Sequence, residues 1–336
     1  MYNTYMKKYD FVAIGDTVVD AFIRLTDAEV TCGVDNANCK LSMDFGAKIP
    51  FESVTELPAV GNSANASVAA ARLGLNAALV TNLGLDTRGD VSIAELQHNN
   101  VSTEFIKQQT GKKTNYHYVL WYSDDRTILI NHEKYNYELP DFGEPSWVYL
   151  SSLGGDTLAY HDSIAEYFEQ HPSIKVAFQP GTFQLKLGLE RLKKLYAHTE
   201  VFICNLEEAQ GLLGDTKSSV QELMRRIHMY GPKIVLISDG KRGAYLLSSA
   251  GKMYFMPPYP DALPPLERTG AGDAFASTFV SELILGKDIL EALRIAPINS
   301  MSVVQHIGAQ EGLLSQEALL SYLEIAPADY VAQELI

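Results

Sequence analysis

Short apolar runs that alternate with helix-period stretches leave this chain few architectures. Phe11-Val12-Ala13-Ile14 ends at Gly15, and comparable runs occupy residues 78–81, 147–150, 174–178, 201–204 and 234–238. Runs of that length bounded by breakers read as buried strands. Between several of them apolar residues recur with helical spacing, over 64–73, 91–98, 157–170, 187–196, 206–213 and 218–230. Parallel neighbours need crossover connections, and crossover helices cover both faces of a sheet. The alternation therefore predicts an α/β fold: a doubly wound, mostly parallel sheet with helices on both faces. Downstream of Asp273 the chain reads as helical over 274–285, over 289–305 with a break or kink at Pro297, and over 315–322 with Ser315 as N-cap.

Two stretches depart from this rhythm. Residues 21–56 are weakly periodic, and 115–132 read as a β-hairpin turning at Ser123-Asp124-Asp125-Arg126. Period two puts Tyr116, Tyr118, Leu120 and Tyr122 on one face of the first hairpin strand and His117, Val119 and Trp121 on the other. Both faces would be costly to leave in water. We read 21–56 and 112–134 as a small β lid on a main domain built from 1–20, 57–111 and 135–336; the alternative is a hairpin packed on the main sheet. One lid face is expected to close on a ligand and the other to meet a second copy, giving a homodimer. If the tyrosine face met the ligand, Trp121 and His117 would meet the partner.

With 336 residues, 46% of them hydrophobic, the chain has ample material for a core and is not a disordered one. Its 27 basic and 41 acidic side chains leave a net charge of −14, which argues against a nucleic-acid partner. Three cysteines without CxxC spacing suggest neither a disulfide framework nor a zinc site, so Cys32 and Cys39 are assigned to packing and the compartment to a reducing one. The apolar run behind Lys7 and Lys8 is too short for a signal peptide, and no segment approaches membrane-spanning length. The expectation is a cytoplasmic protein with no membrane partner.

The most informative segment is Glu267-Arg268-Thr269-Gly270-Ala271-Gly272-Asp273, a glycine-rich turn leading into a helix. Small residues let backbone N–H groups converge there, and the helix terminus adds positive charge, so the turn can hold an anion. A carboxylate beside that anion suits a general base that takes a proton from an attacking hydroxyl. The bland reading is an Asp in its favoured first helical turn. Gly61-Asn62-Ser63-Ala64-Asn65 is a second small-residue turn before a helix, where Asn65 either caps or contacts hydroxyls. In Gly15-Asp16-Thr17-Val18-Val19-Asp20, carboxylates emerge at the carboxyl end of the first strand, where open α/β sheets bind ligands.

Taken in order, these turns resemble the signatures of the ribokinase-like, or PfkB, carbohydrate kinase family. The resemblance extends to Gly84-Leu85-Asp86-Thr87-Arg88-Gly89, to the NxxE-like Asn205-Leu206-Glu207-Glu208, and to the nucleotide loop Ser238-Asp239-Gly240-Lys241-Arg242-Gly243, covering about residues 11–314. It implies an ATP-dependent, magnesium-dependent kinase acting on a hydroxyl of a sugar or related polyol. Asp273 would be the base and Gly270, Ala271 and Gly272 the anion hole. Asp20, Gly61 and Asn65 would hold the acceptor. Asn205 and Glu208 would organise magnesium through water, while Ser238, Gly240 and Gly243 flank the nucleotide and Asn299 reaches the adenine. Apart from the resemblance, Asn205 and Glu208 equally suit strand-end capping.

The sequence also departs from the family pattern. Val60 replaces the first glycine of a pair, which would narrow the acceptor pocket. Glu267 and Arg268 replace an Asp-Thr pair, which argues against the monovalent-cation site of part of the family. The alternatives are a nucleoside kinase, a sugar-phosphate kinase drawing on Lys48, Arg88, Arg126 or Lys134, and a non-catalytic sensing relative. A dinucleotide oxidoreductase is disfavoured because Gly15-Asp16-Thr17 lacks the GxGxxG turn. The scattered histidines read as structural.

Overall fold

The computed structural model describes residues 8–33, 39–123, 125–261 and 263–335. Met1 to Lys7 and Asp124 of the expected hairpin turn lie outside them. Seven parallel strands form the body of a ten-stranded sheet, in the spatial order Ile106–Gln109, Ala77–Gly84, Phe11–Ile14, Trp147–Leu150, Lys175–Phe178, Thr199–Asn205 and Ile234–Ser238. Three antiparallel strands, Ala244–Leu247, Met253–Met256 and Gln333–Leu335, extend its far edge. The central strands are apolar throughout because both faces are covered: Phe11, Ala13 and Tyr149 point into one buried cluster, Val12, Ile14 and Phe178 into the other.

The expected strands appear within a few residues of their positions, and most helices do too. The stretch expected as one helix over 187–196 is instead Thr182–Arg191, interrupted by Gly188 at φ 75°, followed by Lys193–His198. The helix Ile289–Val303 runs through Pro297 as one element. Ser315 caps the helix Gln316–Glu324 by accepting from the Ala318 N–H.

The lid is a separate four-stranded sheet in the order Phe51–Val60, Val18–Leu25, Asn115–Tyr122 and Asp125–Leu129. Val119 and Trp121 are buried, whereas Tyr118 and Val54 are about half exposed. Cross-strand register puts Asp20 opposite His117, and Tyr118 opposite Ala21, so the His117 face turns inward and the tyrosine face outward. That reverses the arrangement in which Trp121 and His117 would meet a partner. The buried Trp121 ring satisfies its one polar group by donating to the Ser123 carbonyl oxygen at 3.1 Å and lies against the Arg24 guanidinium, while Tyr116 and Tyr118 pair edge-on outside, where the Tyr116 hydroxyl donates to Glu56.

Cys32 and Cys39 are joined by a disulfide, contrary to the packing role given them above. Antiparallel pairing of Thr31 with Lys40 in the exposed ribbon Glu29–Thr31 and Lys40–Ser42 places the flanking residues opposite each other, which spacing alone did not reveal. The argument from sparse cysteines to a reducing compartment loses its footing. Cys204, by contrast, is free and buried. Among the described residues no helix is long and apolar enough to cross a membrane.

Candidate active site

Carboxyl ends of the parallel strands, the lid and the helix Ala271–Ile284 enclose two cavities, of about 430 and 440 Å³. Both are lined by Ser238, Arg268 and Gly272, so they meet at the glycine-rich turn. Gly270 sits at φ 81°, where a side chain is strained, and an added Cβ would lie 2.2 Å from the Cβ of Ala309. As N-cap, Gly270 offers no side chain, and no side chain caps this helix. The Ala271 N–H donates to the Arg268 carbonyl oxygen at 3.4 Å, which leaves the N–H groups that follow it in the first turn for an anion arriving at the seam.

Asp273 does not cap its own helix. Its Oδ1 accepts from Asn62 Nδ2 at 2.7 Å and from Gln179 Nε2 at 3.1 Å, and its Oδ2 accepts from Asn65 Nδ2 at 2.8 Å. Burial pushes the carboxyl above its ordinary range, opposed by the three amides, with Asn65 the strongest of them. Asn62 and Asn65 reach it together because residues three apart share a helix face, and both stand in the first turn of Asn62–Arg72. Gly61 starts that helix at φ 110°, and an added Cβ would lie 2.8 Å from the Asp16 carbonyl oxygen. Gln179 is held in turn by the buried Tyr149, whose hydroxyl donates to its Oε1 at 2.5 Å.

The lid-side cavity runs from Asp273 to Asp20, under His117, Arg126 and His132. Asp20 Oδ1, His117 Nε2 and His132 Nδ1 are buried without a hydrogen-bond partner. The nearest charged neighbours are long contacts, His117 Nδ1 to Asp20 Oδ1 at 3.4 Å and His132 Nδ1 to Asp16 Oδ2 at 3.5 Å. Orphaned polar atoms of this kind are costly unless something fills the cavity and bonds them. Asp16 is better served, accepting from the Gly154 N–H at 2.7 Å and the Tyr137 hydroxyl at 2.9 Å. Arg126 faces Glu267 at 3.5 Å, and Glu267 also accepts from the Thr269 N–H at 2.6 Å, tying a lid strand to the glycine-rich turn.

The second cavity is bounded by the loop Ser238-Asp239-Gly240-Lys241-Arg242-Gly243 and by Met256, Phe275, Met301 and several prolines. Asn205 and Glu208 line the first cavity at the seam side and form a capping box: the Glu208 N–H donates to Asn205 Oδ1 at 2.8 Å, and the Asn205 N–H to Glu208 Oε2 at 2.9 Å. The capping reading and the cavity reading thus hold together. Burial raises the Glu208 carboxyl, with the Asp273 charge adding to the rise.

Of the site residues expected from sequence, Asp273, Gly270, Gly272, Asp20, Gly61, Asn65, Asn205, Glu208 and Ser238 converge on the lid-side cavity, and Ala271, Gly240 and Gly243 on the other. One assignment needs correction. Asn299 is fully buried, its Nδ2 donating to Thr278 Oγ1 at 2.8 Å and its Oδ1 accepting from the Leu314 N–H at 2.9 Å, so it ties helices together and lines neither cavity. Asn65 lines the lid-side cavity; it donates from Nδ2 to Asp273 and accepts at Oδ1 from Gln310 Nε2 at 2.9 Å, and each end of the amide keeps capacity for a further partner. Sequence reasoning missed Gln179, His117 and His132. Only the position of Gln179 just past a strand's carboxyl end offered a signal. Of the four cations considered for a second phosphate, Arg126 lines the cavity; Arg88 covers the Tyr116 ring, Lys134 pairs with exposed Asp156, and Lys48 is exposed.

This chain is 25% identical to 5-dehydro-2-deoxygluconokinase of Bacillus subtilis, over 95% of this chain and 97% of that one. It is 26% identical to the ribokinase of the same organism, over 78% of this chain and 87% of the other. Its fold matches Arabidopsis thaliana ribokinase, solved with ribose and ATP, at TM-score 0.77 and 20% identity over 94% of this chain and 99% of that one. The family profile described as pfkB family carbohydrate kinase matches residues 47–316, which include both glycine turns, the Asn205 capping box and Asp273. A match that spans most of the chain and takes in the seam where the two cavities meet shows that the protein belongs to the pfkB family of carbohydrate kinases.

Proposed function

We propose that the protein moves the γ-phosphoryl group of ATP from the proline-lined cleft to a hydroxyl of a sugar or related polyol in the lid-side cavity. The observation that carries this reading is Asp273, held by three amides at the seam of the two cavities. An acceptor hydroxyl on Asp273 gives up its proton as its oxygen attacks phosphorus, and the bond to the departing ADP oxygen breaks on the far side. The N–H groups of the Gly270-Ala271-Gly272 turn face the negative charge that the transferring group carries. Three amide donors take most of the accepting capacity of the Asp273 carboxylate, and the remaining place is for the acceptor.

Asp20 Oδ1, His117 Nε2 and His132 Nδ1 hold the acceptor's other hydroxyls, which would satisfy all three atoms at once. With Arg126 already facing Glu267, the cavity suits an acceptor without a phosphate of its own better than a sugar phosphate. Magnesium fits the donor set as a hydrated ion carried by the nucleotide. Glu208 keeps Oε1 outside its capping bond, and among the described residues no group of three His, Cys, Asp or Glu side chains forms a metal cage. When bound, the ion neutralises phosphate charge; Glu208 and Asn205 would hold its water shell.

The outward lid face, with Tyr118 and Val54 about half exposed, is the face we assign to a second copy in a homodimer. A cytoplasmic location rests on the supply of ATP. The test of the function is release of ADP from MgATP by the purified protein against a panel of sugars, sugar acids and nucleosides. Acceptor-dependent ADP release that disappears in Asp273→Asn is expected; turnover that survives the substitution would remove Asp273 from the reaction.

A further inference from the structure

We propose that the donor cleft reads the purine base only weakly, so that guanine and adenine nucleotides bind within about thirtyfold of each other. The inference rests on the kinase reading above and extends it to the donor. Adenine presents an acceptor nitrogen beside its amino group, whereas guanine presents an N–H, a carbonyl oxygen and an amino group at the corresponding edge. A site that selects adenine must pair both atoms of that edge, with a donor for the ring nitrogen and an acceptor for the amino group.

The wall of this cleft is poor in such donors. Pro257, Pro258, Pro260 and Pro265 line it, and proline nitrogen carries no hydrogen. Asn299, the side chain suited to pairing with adenine, has both ends of its amide occupied by Thr278 and Leu314 and is fully buried. Ser300 gives its hydroxyl to the Ala271 carbonyl oxygen at 2.6 Å. Ser238 and Arg268 belong to both cavities and so face the phosphates. Tyr259 gives its hydroxyl to the Tyr322 carbonyl oxygen at 2.8 Å. Among the side chains of the described residues, what remains for the base is apolar contact plus Lys241 and Asp261, both exposed at the mouth, where water screens them. Apolar pockets separate near-isosteric ligands by factors of about 10 to 200, whereas sites built on hydrogen bonds reach about 10⁴ to 10⁵.

The experiment is calorimetric titration of the full chain with MgADP, MgGDP and MgIDP, which needs no acceptor. The three dissociation constants should lie within about thirtyfold of one another, inside the range of apolar discrimination. Lys241→Ala and Asp261→Ala should each change the ratio of ADP to GDP affinity by less than about threefold, because exposed charges contribute little. A preference for ADP beyond thirtyfold, or a ratio that collapses in either variant, would overturn the inference and leave the kinase reading standing. If none of the three nucleotides binds, the kinase reading fails and this inference falls with it.

Discussion

The two cavities that meet at Gly272 are built from different materials. On the lid side, buried carboxylates and imidazoles from four segments of chain point at one space, and three of their atoms lack partners. On the other side, prolines, methionines and a phenylalanine make a largely apolar slot with Lys241 and Asp261 at its mouth and Arg268 at the seam. Buried polar atoms discriminate steeply because a ligand that fails to pair with them leaves their desolvation uncompensated. Apolar walls attract without discriminating much. The contrast assigns the specificity of the reaction to the acceptor and leaves the donor site to position phosphates.

Substitutions can break that contrast at its seam first. Asp273→Asn removes the proton acceptor and places an amide where three amide donors converge, so kcat should fall by about 10²- to 10⁴-fold while MgADP affinity, read by calorimetry, is retained. Asp20→Ala acts on one side only. Losing a charged hydrogen bond costs about 1.5–3 kcal/mol, so the acceptor KM should rise roughly ten- to hundredfold with the ATP KM unchanged. Equal loss for both substrates would mean that the fold, not the acceptor, was damaged.

Smaller effects sharpen the comparison. His117→Ala removes one hydrogen bond to the acceptor, worth about 1 kcal/mol, so the acceptor KM should rise about fivefold with kcat little changed. An acceptor analogue lacking the hydroxyl that His117 holds should lose nothing further in that variant, and additive losses would place His117 away from the acceptor. Tyr118→Glu, on the outward lid face, should leave KM and kcat alone and shift sedimentation from dimer to monomer. A wild type that sediments as a monomer at micromolar concentration would remove the dimer assignment outright.

How much of this was legible beforehand follows from what each feature depends on. The parallel strands were readable because burial on both faces makes runs such as Trp147–Leu150 and Ile234–Ser238 continuously apolar. The strand Gln333–Leu335 was not, since two of its three residues are polar and it owes its pairing to Met253–Phe255. The glycine-rich turn before Asp273 was readable because glycines at a helix start leave a local mark. Its support was not local: Asn62, Gln179 and Tyr149 come to Asp273 from separate segments, and no spacing encodes that convergence. His117 and His132 stand fifteen positions apart in the sequence, yet the hairpin brings their rings to 5.2 Å. The resemblance likewise placed Asn299 at the adenine, but occupancy of an amide depends on tertiary neighbours such as Thr278.

The pH dependence of kcat at saturating MgATP and acceptor tests the role of Asp273 most directly. A base must be ionised, so kcat should fall as pH drops through the pKa of the group in the complex. Because burial raises the Asp273 carboxyl, that acid limb should lie above the ordinary aspartate range. The account predicts this limb in the wild type and its absence from the residual activity of Asp273→Asn. An acid limb that persists unchanged in the variant would show that another group takes the proton.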